Sequence, residues 1–270
     1  MSPRLGFAPD WPAPGRVRAF TTERAGGDGG RYAALNLGTH VGDAPTAVAA
    51  NRARLRSGAG LPSEPRWLEQ VHGADVLDLD RAQASPLPPA DAAVTGRAGV
   101  VCAVLTADCL PVLLCDRSGS RVGVAHAGWR GLLRGVLPAA VAALGVAPRD
   151  VLAWLGPAIG PPAFEVGPEV RDAYLAADAR AAACFEPNAR GRWQADLYGL
   201  ARLSLAAAGV TAVFGGDFCT YTESARFFSH RREAPCGRMA TLIWIAAEFR
   251  VVLQRRPYID EPENVLDRSP

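Results

Sequence analysis

The chain of 270 residues is 49% hydrophobic and carries a net charge of +2. This length and apolar content suit one large domain or two small ones with a sizeable core. The small net charge gives no indication of a nucleic-acid or membrane surface. All 29 basic residues are arginine, which excludes a lysine nucleophile, a Schiff base and a P-loop lysine.

Several features of the sequence favour a cytoplasmic location. No apolar run reaches the roughly 18 residues of a membrane span, and the N-terminus lacks the apolar core of a signal peptide. The six cysteines lie in mostly apolar contexts without the spacing of a secreted disulfide framework. We therefore expect reduced thiols in a cytoplasmic protein that binds neither nucleic acid nor membrane.

Strand and helix patterns alternate after a Pro-rich, loose lead-in. Strands are predicted over 16–22, 151–155, 210–214 and 239–246, and a strand pair or a bulged strand over 67–79. Helices are predicted over 45–58, 130–144 with a kink at Pro138, 168–183 and 196–209. Residues 23–31 form a Gly-rich loop without dinucleotide-binding spacing. Because no linker divides these elements, we expect a single mixed α/β domain.

The central stretch predicts a hairpin of two buried strands, 100–115 and 122–127, joined by the turn at 117–120. Folding about this turn places His126 opposite Pro111 and Cys109 opposite Gly128. Because two residues of strand span roughly 7 Å, Cys109 and His126 should lie at nearly the same level on neighbouring strands. The interruption of pairing at Pro111 opens space beside them.

Together with His72, which lies at an irregularity beside Gly73, Cys109 and His126 make a candidate three-ligand site. Zinc suits two imidazoles and one thiolate, with a fourth position left for water or substrate. Alternatively, His126 activates Cys109 as a metal-free nucleophile, with Asp108 or His72 orienting the base. Copper also binds such donors, but a multicopper centre needs more than the four histidines of this chain. The residues alone leave these alternatives open.

Arginines near this site are candidates for binding an anion. Arg130 follows His126 by four residues at the start of a predicted helix, and guanidinium forks favour phosphate. Arg52, Arg231 and Arg238 are further candidates of the same kind.

Motifs along the chain resemble those of one bacterial family. LEQVHGADV, ADAAVTGRAG, TADCLPVLLCD, VAHAGWRG, GPAIGPPAFEVG and FFSHRR occur in the family's order over about residues 16–245. The chain is similar to the YfiH-like laccase-domain family, whose members were once described as polyphenol oxidases and are now described as purine nucleoside phosphorylases. A link to peptidoglycan editing is also attributed to the family.

The resemblance implies an α+β fold: a single-domain α/β/β/α sandwich with mixed sheets, related to a toxin deamidase fold. The domain should span 16–246, between the lead-in 1–15 and a C-terminal tail 247–270. The resemblance implies zinc held by His72, Cys109 and His126. It also implies phosphorolysis of adenosine and inosine, with adenosine deamination and methylthioadenosine cleavage as further activities.

On this hypothesis, the partners are a purine nucleoside and phosphate. Phosphate would be bound by Arg130 and Arg52. The residues that would contact sugar hydroxyls or transfer protons are Asp91, Asp108 and His40. A cysteine hydrolase acting on peptidoglycan precursors remains the alternative, and a copper-dependent phenol oxidase is a second one. The sequence does not indicate an oligomeric state.

Overall fold

The structure is a computed structural model that describes residues 5–24, 32, 34–82 and 86–247. Its strands are β1 (Gly6–Phe7), β2 (Val17–Thr22), β3 (Arg66–Trp67), β4 (Val76–Asp78), β5 (Ala92–Thr95), β6 (Val101–Thr106), β7 (Leu110–Asp116), β8 (Val122–Ala127), β9 (Val151–Leu155), β10 (Glu165–Val166), β11 (Phe185–Pro187), β12 (Trp193–Ala195), β13 (Ala212–Gly215) and β14 (Met239–Ile245). Its α-helices are α1 (Pro45–Gly58), α2 (Trp129–Leu133), α3 (Val136–Leu144), α4 (Pro168–Ala177), α5 (Leu197–Ala207) and α6 (His230–Glu233).

Two mixed sheets form the centre of the molecule. The first has the strand order β1-β2-β14-β6-β3, and the second has the order β13-β9-β7-β8-β5-β4. Most neighbouring strands are antiparallel, but β3 runs parallel to β6, β4 to β5 and β13 to β9. The sheets pack face to face through one apolar cluster that contains Val104 and Ile243 of the first and Leu113 and Trp154 of the second.

Helices cover the outer faces of this sandwich. Leu137 of α3 and Ala201 of α5 are buried against the outer face of the second sheet. Leu55 of α1 is buried against the first sheet, in a cluster with Leu242 of β14. The α/β/β/α sandwich with mixed sheets implied by the resemblance is therefore confirmed.

The hairpin register is confirmed, but its first strand is not continuous. Pro111 pairs with His126, as predicted. Residues 101–116, however, form two strands, β6 in the first sheet and β7 in the second. The chain crosses between the sheets at Asp108, whose φ of +90° breaks the extended backbone. The Asp108 carboxylate accepts hydrogen bonds from Thr220 Oγ1 (2.6 Å) and the Arg231 amide (2.7 Å), distant residues that hold the crossing in place.

Other long elements are also divided. The segment 67–79 contributes β3 and β4 to different sheets. The predicted helix 130–144 is two helices because Gly135 has a φ of +88° between them, and Pro138 lies in the first turn of α3, where it causes no kink. The helix predicted over 168–183 stops at Ala177, because Asp178 is extended and caps a separate 3₁₀ helix, Ala179–Cys184.

The prediction of a loose lead-in was wrong for its described part. Gly6 and Phe7 pair with β2, and the Phe7 ring packs 5.4 Å from that of Phe218. Most of the predicted Gly-rich loop and the tail after residue 247 lie outside the described residues. All six cysteines are free thiols. Among the described helices, none has a stretch long and apolar enough to cross a bilayer.

Candidate metal centre

Three separate segments bring His72, Cys109 and His126 together. His72 lies in the connection between β3 and β4, Cys109 directly precedes β7, and His126 belongs to β8. One ligand atom from each residue lies within 4.8 Å of the others. The distance from Cys109 Sγ to His72 Nε2 is 3.8 Å, and the centroids of the His72 and His126 rings lie 4.7 Å apart. The structure thus assembles the three residues that the sequence singled out.

Asp91 holds the segment that carries His72. Its carboxylate accepts hydrogen bonds from the backbone N–H groups of Val71 (3.1 Å), His72 (3.0 Å) and Gly73 (2.6 Å). His72 has a φ of +58°, which is uncommon for a residue with a side chain. The three bonds to one buried carboxylate stabilise this conformation, which directs His72 towards Cys109.

The same carboxylate orients His126. His126 Nδ1 donates to Asp91 Oδ1 at 2.7 Å, and both side chains are buried. This bond leaves Nε2 as the ring nitrogen available to a metal or to Cys109. A carboxylate that binds the second nitrogen of a histidine ligand fixes the tautomer and makes the ligand more basic.

Charge pairing changes the protonation of Cys109 and His126. Burial by itself raises the pKa of the thiol, but the charge of His126 and hydrogen bonds from both histidines outweigh it and lower that pKa. Burial likewise opposes the charge on His126, but Cys109 and Asp91 outweigh it and raise the pKa of His126. A deprotonated Cys109 is the form that both metal binding and nucleophilic attack require.

The centre is packed closely against the start of α2. A Cβ atom added to Gly128 would lie 2.9 Å from Cys109 Sγ and 3.2 Å from His72 Cδ2. Glycine at this position therefore leaves the space that the thiol and the imidazole occupy.

The three residues line a cavity of about 880 Å³. Its apolar walls include the rings of Trp67, Trp129 and Phe164. Its cationic residues are Arg130, Arg231 and Arg238, and the side chains of His40 and His230 also line it. This volume falls within the range of small-molecule sites, about 300–1,000 Å³.

The other predicted site residues divide into two groups. His40, Asp108 and Arg130 line the cavity. Arg52 does not: its Nε and Nη2 donate to the Leu37 carbonyl at 3.1 and 2.9 Å, and its guanidinium stacks on the Trp67 ring, 4.2 Å from the centroid. Asp91 is also absent from the cavity wall, because its carboxylate is used by the His72 segment and His126. Direct contact of Arg52 or Asp91 with a substrate is therefore not supported.

Sequence reasoning missed most of the neutral wall of the cavity. Gln70 lines it and bonds the N–H and carbonyl of Leu105 at 2.7 and 2.8 Å. Thr106 also lines it, with a buried Oγ1 that has no hydrogen-bond partner among the described residues. Phe164 and Trp129 supply aromatic surface. All four residues belong to the motifs that carry the family resemblance. A motif match, however, does not show which of its residues face the cavity.

Comparisons with known proteins cover almost the whole described chain. A family model described as multi-copper polyphenol oxidoreductase laccase matches residues 18–246. The chain is 55% identical over 241 residues to a Pseudomonas aeruginosa protein named purine nucleoside phosphorylase PA4543, covering 88% of this chain and 98% of that protein. It is 53% identical over 240 residues to the protein named purine nucleoside phosphorylase YfiH of Escherichia coli, with the same coverage of both chains.

Solved structures show the same fold. A crystal structure of a Neisseria meningitidis protein superposes with a TM-score of 0.86 at 48% identity, covering 90% of this chain and all of that one. YlmD from Geobacillus stearothermophilus superposes with a TM-score of 0.77 at 36% identity, covering 86% and 93%. From the match over residues 18–246, the chain belongs to the family described as multi-copper polyphenol oxidoreductase laccase.

Proposed function

We propose that this protein is a zinc-dependent purine nucleoside phosphorylase. It would cleave adenosine or inosine with phosphate to the free base and ribose 1-phosphate, in the cytoplasm. The observation that carries the proposal is a His–Cys–His group on the wall of a cavity of about 880 Å³. The chain that holds it is more than half identical to two proteins named purine nucleoside phosphorylase.

The donor set fits zinc. Two imidazole nitrogens and a thiolate are common zinc ligands, and an N and an S ligand of tetrahedral zinc lie about 3.5 Å apart. The 3.8 Å between Cys109 Sγ and His72 Nε2 is close to that spacing. When bound, zinc would supply Lewis-acid stabilisation of developing negative charge. The same donors suit copper, so the metal content needs direct measurement.

The residues of the chain support phosphorolysis in other ways. Arginine side chains line the cavity, and the guanidinium group of an arginine can bind two phosphate oxygens at once. Trp129 and Phe164 offer flat apolar surface to a purine. Asp108 holds the turn before Cys109, since both its carboxylate oxygens are engaged by Thr220 and Arg231. Adenosine deamination and methylthioadenosine cleavage belong to the proposal as secondary activities.

The test measures metal content and phosphate-dependent adenine release from adenosine on one preparation. We expect about one zinc per chain, release that requires phosphate, and ribose 1-phosphate as the second product. Cys109→Ala should lose metal and activity, whereas Cys219→Ser, a thiol outside the cavity, should retain both. Zinc without turnover would overturn the phosphorylase assignment, and full activity of Cys109→Ala would overturn the role of the centre.

A cysteine hydrolase acting on peptidoglycan precursors is the second candidate. Asp91 orients His126 through a hydrogen bond, and His126 lowers the pKa of Cys109. A base that is oriented in this way activates a nucleophilic cysteine. Under this alternative, metal-free protein hydrolyses its substrate without phosphate, and alkylation of Cys109 abolishes the activity. Activity that requires both metal and phosphate would contradict the hydrolase alternative.

A further inference from the structure

One end of the cavity is formed by the loop at residues 36–43 and by Arg238. The Arg238 N–H donates to Asn36 Oδ1 at 2.9 Å, and the Leu37 N–H donates to the Arg238 carbonyl at 3.2 Å. Asn36 is fully buried. A Cβ atom on Gly38 would lie 2.8 Å from Arg238 Cγ, so the arginine stem packs directly on the loop. The arginine is therefore held in place from its backbone to its side-chain stem.

The guanidinium of Arg238 is oriented but only partly used. Its Nη1 donates to the carbonyls of Cys236 (2.7 Å) and Gly237 (3.2 Å). Its Nε and Nη2 make no hydrogen bond, and the side chain forms no ion pair, within the described part of the chain. An arginine fixed through one nitrogen still presents donors in a planar fork, which is the geometry that binds phosphate oxygens.

His40 adds an imidazole, a second hydrogen-bonding group, at this end. It lines the same cavity. Burial lowers the pKa of His40, and the charges of Arg238 and Arg52 lower it further, so both arginines lie near the imidazole. The carboxylates on the cavity wall are Glu69 and Asp108, and Asp108 is already bound by Thr220 and Arg231. An anion that enters this end would meet the guanidinium of Arg238 and the ring of His40.

This end lies close to the candidate metal centre. Arg238 directly precedes Met239, which pairs with Thr106 of the neighbouring strand β6. Thr106 precedes Cys109 by three residues, a separation of at most about 11 Å along the chain. A pentose bound at the metal centre would therefore lie within reach of an anion held by Arg238.

From this geometry we propose that Arg238 and His40 form a subsite for a phosphate group. Its role as the co-substrate site rests on the proposed phosphorylase function, whereas phosphate binding itself does not. The phosphate group has two sources, inorganic phosphate and the 5′-phosphate of a purine nucleotide. Arg52, one of the arginines expected from the sequence to bind phosphate, instead anchors the loop through the Leu37 carbonyl.

The test compares Arg238→Gln, Arg238→Lys and His40→Gln with Arg56→Gln, an exposed arginine of α1 outside the cavity. Binding of inorganic phosphate and of adenosine 5′-monophosphate is measured by calorimetry, and thermal unfolding monitors the fold. We expect Arg238→Gln to weaken binding of inorganic phosphate about 10-fold or more. Arg238→Lys should lose less, His40→Gln should lose about threefold, and Arg56→Gln should bind as the parent does.

Kinetics separate a binding role from a structural one. For the variants that turn over, the KM for phosphate should rise while the KM for adenosine stays within about twofold. Equal phosphate affinity in the parent and in Arg238→Gln would overturn the subsite, as would an equal rise of both KM values. If only the nucleotide binds and its binding depends on Arg238, the 5′-phosphate is the source and the subsite stands. Arg238-dependent phosphate binding without phosphorolysis would keep the subsite and reject the proposed function.

Discussion

Asp91 connects two parts of the candidate metal centre that are far apart in sequence. One oxygen accepts from the His72 N–H and His126 Nδ1, and the other accepts from the N–H groups of Val71 and Gly73. The carboxylate is fully buried, so its removal would leave these donors without their acceptor in the protein interior. These bonds position both histidines, and Asp91 itself does not line the cavity.

Replacement of Asp91 by alanine should destabilise the protein strongly. Three backbone donors and one imidazole lose their acceptor, and each buried unsatisfied group costs about 1–3 kcal/mol. We expect the free energy of unfolding, measured with urea, to fall by about 3 kcal/mol or more. Asp91→Asn should bind zinc about 10–100-fold more weakly than the parent in competition with a chelator.

Asp75→Ala is the matched control, because Asp75 is an exposed carboxylate in the same connection. It should change the free energy of unfolding by less than about 0.5 kcal/mol. Equal effects of the substitutions at Asp75 and Asp91 would contradict the positioning role.

Gly128 offers a steric test of the same centre. Its φ of −64° is accessible to alanine, so Gly128→Ala introduces no backbone strain. The new methyl group, however, would lie 2.9 Å from Cys109 Sγ, and the thiol has to move. We expect weaker metal binding and an altered absorption spectrum of the cobalt-substituted protein. Gly15→Ala, where no atom lies within 4 Å of the added Cβ, should leave both unchanged, and an unchanged spectrum in Gly128→Ala would refute the packing argument.

At the scale of elements, the turn between β7 and β8 sets the register of the hairpin. Asp116 accepts hydrogen bonds from Ser118 Oγ, from Ser120 Oγ at 3.0 Å and from the Arg121 N–H at 2.7 Å. Although burial by itself raises the pKa of Asp116, the hydrogen bonds from Ser118 and Arg121 outweigh it and hold that pKa below its ordinary value. The ionised carboxylate therefore stabilises the turn that aligns His126 with Pro111.

The lowered pKa of Asp116 predicts a pH-dependent contribution to stability. Because the folded protein binds this proton less tightly than the unfolded chain, the contribution is complete above the unfolded pKa of about 3.9 and is lost as the pH falls below it. Asp116→Asn should lower the free energy of unfolding by about 1–2 kcal/mol at pH 7. The difference between parent and variant should shrink towards pH 3.

Urea unfolding at both pH values measures this difference. Asp172→Asn, whose side chain is 68% exposed on α4, is the control and should show little difference at either pH. A gap between parent and Asp116→Asn that is independent of pH would mean that ionisation of Asp116 does not stabilise the turn.

The elements show which local patterns predicted structure correctly. The β7–β8 register followed from one short turn, because pairing across a tight hairpin is determined by the turn itself. The division of 101–116 into β6 and β7 could not be predicted locally, because a continuous apolar run has the same pattern whether it lies in one sheet or in two. Its cause, the binding of the Asp108 carboxylate by Thr220 and Arg231, involves residues more than 100 positions away.

At the scale of the whole molecule, a bound metal would join three segments that reach the centre from different parts of the fold. A ligand that binds only the folded state at 100 times its Kd stabilises that state by about 2.7 kcal/mol. For a domain of this size, we expect the melting temperature to fall by about 5–10 °C when zinc is removed. Zinc re-addition should restore it.

Calorimetry before and after chelation measures this shift. In Cys109→Ala, zinc should leave the melting temperature unchanged. The same zinc-dependent shift in this variant would place the metal elsewhere in the protein.

The sequence by itself determined the mixed α/β class, the hairpin register and the three residues of the candidate metal centre, because these depend on residue type, periodicity and one short turn. The tertiary structure decided the role of Asp91, the exclusion of Arg52 from the cavity and the entry of Arg238 into it. These depend on contacts such as the one between Arg238 and Asn36, which are 202 residues apart. The packing of the two sheets brings such residues together, and no local pattern encodes that proximity.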